Sequence, residues 1–387
     1  MDELAVSVGV PGERSTEETR VALVPSVARD LLGQDHEVIV SSGAGDRTDW
    51  SDAQYAAVGC DVVEDRDAVF ERSDVILHVR ALGAASTDAI EPYREGQTVI
   101  GLLGPYEIDE ATFEVLADRR ISAFALELLP RIGRAQQMDV LTSMASVAGY
   151  KAAVTAADAL PSLFPMQMTA AGTVRPASVF VVGAGVAGLQ AIATSKRLGA
   201  RVRAYDIRPA VAEEVESLGA DFLELDVEAT ETTAADGYAR EQDAEFYRKQ
   251  REAMTAAVGD ADVVITSAAV PGRAAPTLVT AAMIEEMDAG SVVVDVAADG
   301  GGNCEPTRAG EVIEYDGVTV IGHTNLPARV AHTASQLFAN NVANFLDGLL
   351  EDGRLHVDVD DEIVDATLLT HDGAVRAPHR RGGSDAA

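Results

Sequence analysis

The feature that most constrains the fold of this 387-residue chain is the run VVGAGVAGLQA (181–191), where Gly183, Gly185 and Gly188 make G-x-G-x-x-G. The spacing alone is a weak signal. Its position makes it specific, because SVFVV (178–182) leads into it as a β run and an Ala- and Leu-rich helical segment leaves it. The first glycine permits a tight turn, the second lets backbone approach a pyrophosphate, and the third lets a helix close on a strand. The pyrophosphate then lies at a helix N-terminus, where free N–H groups and the helix dipole favour anions. Asp206 ends the next β run, 18 residues after Gly188, where an acid binds the adenosine ribose hydroxyls. It favours NAD over NADP, whose 2′-phosphate it would repel. Arg208 works the other way, since a guanidinium could neutralise that phosphate.

The rest of the chain reads as two series of alternating strands and helices. The first has β runs at 5–10, 37–40, 74–79, 97–103 and 121–126; the second at 178–182, 201–205, 221–225, 262–268, 291–296 and 318–322. Such alternation argues α/β architecture with parallel sheets. Helical segments at 138–160 and 327–353 are long enough to connect two domains, and the second is expected to pack back on the first domain. The expected fold class is α/β, two Rossmann-like parallel-sheet domains joined by long connecting helices. The N-terminal α/β domain covers 1–138 and is completed by 328–370, the nucleotide-binding domain covers 139–327, and 371–387 is a disordered tail. Residues 226–246, polar for some twenty positions, are a candidate mobile loop, since structureless loops of this length are usually functional lids or disordered.

Charge narrows the partners. Sixty-three acidic side chains face 30 basic ones, a net −33, and only Lys151, Lys196 and Lys249 are lysines. Such a surface disfavours nucleic acid and anionic membrane, both of which attract basic patches. The one long uncharged window, 177–195, is broken by the three glycines and reads as strand, turn and helix, so no direct membrane span is expected. The N-terminus has acidic residues where a secretory signal has basic ones and no long apolar run follows, so no targeting segment is expected and the expected location is the cytoplasm. Cys60 and Cys304 lack CxxC spacing and signal neither a zinc site nor a disulfide framework, so no metal is expected.

A second polar cluster lies in ELLPRIGRAQQMD (127–139), after a strand end and before the first long helix: Arg131, Gln136 and Asp139. In α/β sheets that position faces the ligand crevice. An amide there can bond a ribose or a carboxamide. A solvated turn would carry the same residues.

Here the sequence resembles a known family. PRIGRAQQMDVLTSMASVAGYKA, the glycine loop, ADGYAREQDAEFYRKQ, VPGRAAPTLVTAAMI, VVDVAADGGGNCEPT and GHTNLPARVAHTASQLFANNVANFL together resemble the NAD(H)-binding alpha component of proton-translocating NAD(P) transhydrogenases, from about Val8 to Leu346. The resemblance implies that Arg131, Gln136 and Asp139 surround the nicotinamide and its ribose, and that Val186, Ala187 and Gly188 lie at the pyrophosphate with Gly183 and Gly185. It further implies Asp206 and Arg208 at the adenosine ribose, Gly237 and Tyr238 on a loop that closes over nucleotide, Gln250 near the cofactor, and Ala268 and Ala269 beside the adenine. It implies NAD(H) here and NADP(H) on a partner subunit. The implied assembly is a homodimer docked on a membrane-anchored second alpha component and an NADP(H)-binding beta subunit, peripheral at the cytoplasmic face.

Alanine dehydrogenases share much of this sequence and are the rival. Arg20 matches their substrate-carboxylate arginine and Asp299 an acid they keep. A keto-acid enzyme also needs a lysine to polarise the carbonyl and a histidine as acid/base. The matching positions hold Arg80 and Gly104, which cannot do either job, and nearby His78 reads as a packing residue. A nucleotide-sensing module without catalysis is the third reading.

So acidic a surface repels itself, and salt screens that repulsion. We expect a higher unfolding midpoint in molar salt than in dilute buffer, as in a halophilic protein. Equal thermal midpoints in the two would remove this expectation.

Overall fold

The computed structural model describes residues 6–84, 90, 92–224, 244–269 and 272–377. In chain order its strands are β1 (Ser7–Val10), β2 (Glu37–Ser41), β3 (Asp61–Val63), β4 (Val75–Arg80), β5 (Thr98–Leu102), β6 (Ser122–Ala125), β7 (Gln167–Thr169), β8 (Gly172–Val174), β9 (Ser178–Val182) and β10 (Arg201–Tyr205). They continue with β11 (Asp221–Phe222), β12 (Val263–Thr266), β13 (Val292–Asp295), β14 (Val312–Tyr315), β15 (Val318–Ile321), β16 (Leu350–Glu351), β17 (Arg354–Leu355), β18 (Leu368–His371) and β19 (Ala374–Val375). The described residues up to Met144 and from Ala328 onward form one compact unit, and those from Ala145 to Pro327 a second.

The first unit holds an eight-stranded sheet ordered β19-β18-β6-β5-β4-β1-β2-β3. Its pairings from β6 to β3 are parallel, and β18 and β19 join antiparallel. The second unit holds a seven-stranded sheet ordered β11-β10-β9-β12-β13-β15-β14, parallel except for β14 on β15. Both are doubly wound, as the alternation of apolar runs and helices predicts. β9 is buried on both faces, with Val179 and Val181 in one core cluster and Phe180 and Val182 in another. A parallel strand covered on both sides reads as an unbroken apolar run rather than an alternating one, which is how SVFVV reads.

Three edge elements escape the sequence pattern. β3 is three residues long, and β14 carries alternating exposure with Glu314 outward, so neither has an apolar run to betray it. The segment from 371, expected as a disordered tail, is ordered through 377. Leu368 and Leu369 are fully buried, the Thr370 hydroxyl donates to the Ile121 carbonyl at 2.8 Å, and the Arg376 and Ala377 amides turn back onto Leu369. Residues 378–387 lie outside the described residues.

The helix Val140–Ala159 carries the chain across the division at Met144 and Ala145, six residues beyond the boundary read from the sequence. The helix Ala331–Asp347 belongs to the first unit. Its Phe345 packs edge-on to Phe124 of β6 at 5.4 Å between centroids, and His332 stacks on Trp50 at 4.4 Å. No described helix is long and apolar enough to cross a membrane.

In the second unit, a Cβ at Gly149 would lie 2.0 Å from the Ala187 carbonyl oxygen, so the long helix meets the first turn of the glycine-loop helix backbone to backbone. Gly149→Ala would force the two apart. We expect it to cost about 1–3 kcal/mol, the range for overpacking a filled contact, read as a lower urea midpoint. An unchanged midpoint would show that the helices yield freely.

Candidate functional site

The glycine loop lies at the carboxyl end of β9, where the strand order reverses between β10 and β12, the place an open α/β sheet leaves for ligands. Each glycine has a separate reason. Gly183 has φ +96°, and its amide donates to the Tyr205 carbonyl at 2.8 Å, fixing the turn. A Cβ at Gly188 would lie 1.8 Å from the Gly183 oxygen, so only glycine lets the helix Val186–Arg197 start this close to the strand. At Gly185 a Cβ would meet nothing nearer than an Arg208 nitrogen at 3.9 Å. The space beside Gly185 is open, and the helix that begins there has no side-chain cap, so its first amides are available to an anion.

Asp206 is 7% exposed and already well used. Its Oδ2 accepts from the Ala184 amide at 2.8 Å and Arg208 Nη2 at 3.0 Å; its Oδ1 accepts from the Arg208 amide at 2.8 Å and Nε at 2.9 Å. The acid thus ties the glycine loop to the end of β10, and the bond to Asp206 raises the Arg208 pKa further. Arg208 is committed to this acid and does not stand as a free cation.

Gln250, expected near the cofactor, is 2% exposed, and its Nε2 donates to the Tyr205 hydroxyl at 2.9 Å. Burial pushes that phenol up to about 12, so it stays neutral and accepts. Ala268 and Ala269 follow β12, and Ala269 is exposed. Ala268 is held by a residue that sequence reasoning missed. Fully buried Asn303 accepts from its amide at 2.9 Å and donates to its carbonyl at 2.8 Å and to that of Pro276 at 2.9 Å. Behind Asn303, buried Asp295 accepts from the amides of Ala297, Asn303 and Cys304 and the hydroxyls of Thr266 and Thr307. A motif of three successive glycines, GGGN, was the available signal: chain this bare of side chains lets its amides turn onto one carboxylate. Gly237 and Tyr238 lie outside the described residues.

In the first unit, Arg131, Gln136 and Asp139 fall on the segment after β6, whose 133–138 stretch is a 3₁₀ helix. Arg131 and Gln136 are exposed. Asp139 starts the helix Val140–Ala159, its carboxylate accepting from the Thr142 amide at 2.9 Å and hydroxyl at 2.5 Å, an N-terminal cap. Arg134 pairs with Asp361 at 2.6 Å, which holds the Asp361 carboxyl below the usual carboxylate range. Asn341 and Asn344 of the helix Ala331–Asp347 both donate to the Gln137 carbonyl, at 2.8 and 3.2 Å. Three of these clamps come from more than 200 residues away in sequence, so spacing could not reveal them.

The positions the rival chemistry would use are otherwise engaged. Arg20, 3% exposed, is bound to Glu18, 1% exposed, by Nε to Oε1 at 2.7 Å and Nη2 to Oε2 at 2.6 Å. Gly104 has φ +59°, and a Cβ there would lie 2.3 Å from the Ala84 amide nitrogen, so the backbone leaves no room for a side chain. His78 is fully buried beside Phe70 and Tyr93, with Glu13 3.4 Å from its Nδ1. Asp299 is exposed and accepts from the Asn325 amide at 3.1 Å.

Asp206→Ala would strip the Ala184 amide of its acceptor and leave the part-buried Arg208 guanidinium without its carboxylate. We expect a loss of about 1–3 kcal/mol in denaturant unfolding, the cost of a buried donor left unmet. A variant as stable as the parent would show that Asp206 has no structural share.

Similarity to known proteins follows this geometry. Residues 9–148 match the family described as alanine dehydrogenase/PNT, N-terminal domain, and residues 152–378 match its C-terminal domain. The first part of the NAD(P) transhydrogenase alpha subunit of Rhodospirillum rubrum is 43% identical over 382 residues, covering 97% of this chain and 99% of that one. A transhydrogenase crystal structure from Sinorhizobium meliloti superposes with a TM-score of 0.84 at 42% identity, covering 95% of this chain and 99% of the other. The alanine dehydrogenase of Halomonas elongata is more distant, 31% identical over 95% of this chain and 94% of its own length. The chain therefore belongs to the alanine dehydrogenase/PNT family, and within it stands nearer the transhydrogenase alpha subunits than the alanine dehydrogenases.

Proposed function

We propose that this chain is the NAD(H)-binding component of a proton-translocating NAD(P) transhydrogenase, passing hydride between its own NADH and NADP⁺ held on a partner subunit. The observation that carries the reading is the pairing of an open glycine loop at Gly185 with a backbone at Gly104 that has no room for an acid/base side chain. Hydride passage between two nicotinamides moves no proton at the reacting carbons, so no general acid is needed; a keto-acid reduction needs one. What the protein supplies is proximity and orientation.

The residues fit the cofactor. The first amides of the helix Val186–Arg197 would take the pyrophosphate, Gly185 gives the close approach, and Asp206, whose four accepting positions are filled, would take an adenosine ribose hydroxyl in exchange for one of its bonds to Arg208. Arg208, neutralised by Asp206, would not serve a 2′-phosphate, which favours NAD(H). The hydride is the chemistry the bound nicotinamide supplies; Arg131, Gln136 and Asp139 would hold its carboxamide and ribose. We assign the pyrophosphate and adenosine end of this binding to a domain of residues 139–327, beside an N-terminal domain of 1–138 with 328–370 that carries Arg131 and Gln136, and the transfer to the Si-specific/Re-specific type.

For the assembly we propose a homodimer, peripheral at the cytoplasmic face of the membrane, docked on membrane-anchored and NADP(H)-binding partners. The β7–β8 hairpin supports the dimer: both strands are exposed throughout, with Met168 73% exposed and Met166 58% exposed. An isolated two-stranded hairpin with bare methionines is marginal alone and is stabilised by covering. The acid-rich surface supports a high-salt cytoplasm.

The purified chain should bind NADH yet turn over only when an NADP(H)-binding partner is added, followed by stopped-flow reduction of an NADP analogue. Arg131→Ala should lower that transfer by about two orders of magnitude with little change in NADH affinity, the pattern of lost orientation rather than lost binding. Pyruvate-dependent NADH oxidation with ammonia by the chain alone would instead establish the alanine dehydrogenase reading.

A further inference from the structure

Glu127 begins the segment that carries Arg131, Gln136 and Asp139, and no role above uses it. Its Oε1 accepts from the Gly104 amide at 2.7 Å, bridging the chain that leaves β6 to the chain that leaves β5. The far side of that bridge is rigid. Gly104 has φ +59°, a Cβ at Gly83 would lie 2.3 Å from the Gly104 oxygen, and the Ala84 amide donates to the Leu103 carbonyl at 3.2 Å. The carboxyl of Glu127 thus links the 127–139 segment to the stitched ends of β4 and β5.

Its second oxygen is different. Oε2 is enclosed and meets no hydrogen-bond donor among the described residues. Burial pushes this carboxyl up to about 7, against the pull of the Gly104, Glu127 and Leu103 amides, and Glu107 on the segment after β5 adds a like charge. The neutral acid is the less costly form in this pocket, since an unmet O–H costs less than an unmet charge. A carboxylate there keeps one good acceptor bond but leaves a charged oxygen out of water with no donor, which draws it toward solvent.

We propose that Glu127 is a positioning residue whose protonated carboxyl holds the Arg131–Asp139 loop to the sheet edge, and that loss of its proton loosens the loop. The sign follows from linkage: a carboxyl that binds its proton more tightly in the folded than in the unfolded chain contributes stability below the ordinary glutamate range. That stability is lost as pH rises through the folded value. The inference rests on the proposed nicotinamide role of this loop only for its functional consequence, not for the latch itself.

Amide hydrogen exchange of residues 131–139 in the full chain tests it, with the helix Val186–Arg197 as internal reference and Glu127→Gln, which mimics the neutral acid, as comparison. Between pH 6 and pH 8 the wild-type loop should gain roughly tenfold in exchange over the reference helix, while Glu127→Gln stays level. No gain in the wild type overturns the proposal, whether or not the variant folds; an equal gain in Glu127→Gln also overturns it. NADH titrations on the same samples separate the two readings. Exchange that follows Glu127 with NADH affinity and stopped-flow transfer unmoved keeps the latch and removes the loop from the nicotinamide site.

Discussion

Backbone-to-backbone contact around the first turn of one helix is the constraint on which the second unit depends. Gly188 lies against the Gly183 carbonyl, and Gly149 lies against that of Ala187. Both contacts exclude even a methyl group, so strand, turn and two helices are fixed relative to one another by van der Waals contact between main chains, where no rotamer can give.

A second theme is the use of carboxylates as hubs for main-chain amides. Asp295 gathers three amides and two hydroxyls, Asp206 gathers two amides and a guanidinium, Asp139 caps a helix, and Glu18 holds Arg20 out of solvent. A charged acceptor satisfied by several donors is among the stronger hydrogen-bonding arrangements a protein has. In a chain with twice as many acids as bases, most carboxylates face water. These few instead set the loops at the carboxyl ends of the strands, and Glu127, with one oxygen unmet, is the exception among them.

That arrangement also explains the chemistry. Arg20, Asp299 and His78 are residue types that could serve a keto-acid reaction, yet each is engaged in holding structure, and Gly104 is shaped by a left-handed backbone that admits no side chain. What stays open is the space beside Gly185 at the start of the helix Val186–Arg197. In the proposed function, orientation of the dinucleotide rather than proton transfer is the work assigned to the remaining polar residues.

By itself the sequence determined the parallel-sheet architecture, since long β-branched runs between helical segments have few other solutions, and it determined the glycine turn, since φ and close approach are local demands. It also singled out Arg131, Gln136, Asp139 and Asp206 as polar groups at strand ends. Only the tertiary structure decided what holds them. β3, β14 and β19 are edge strands without an apolar signature, and β19 is ordered because β18, docked on β6 from far earlier in the chain, offers it an edge. Asn341, Asn344 and Asp361 reach the 131–139 segment from the far end of the chain, Asn303 reaches Ala268, and Gln250 turns inward to Tyr205. Periodicity and motif spacing carry short-range information, and these bonds are long-range pairings of ordinary polar residues, so they become visible only when folding brings the partners together.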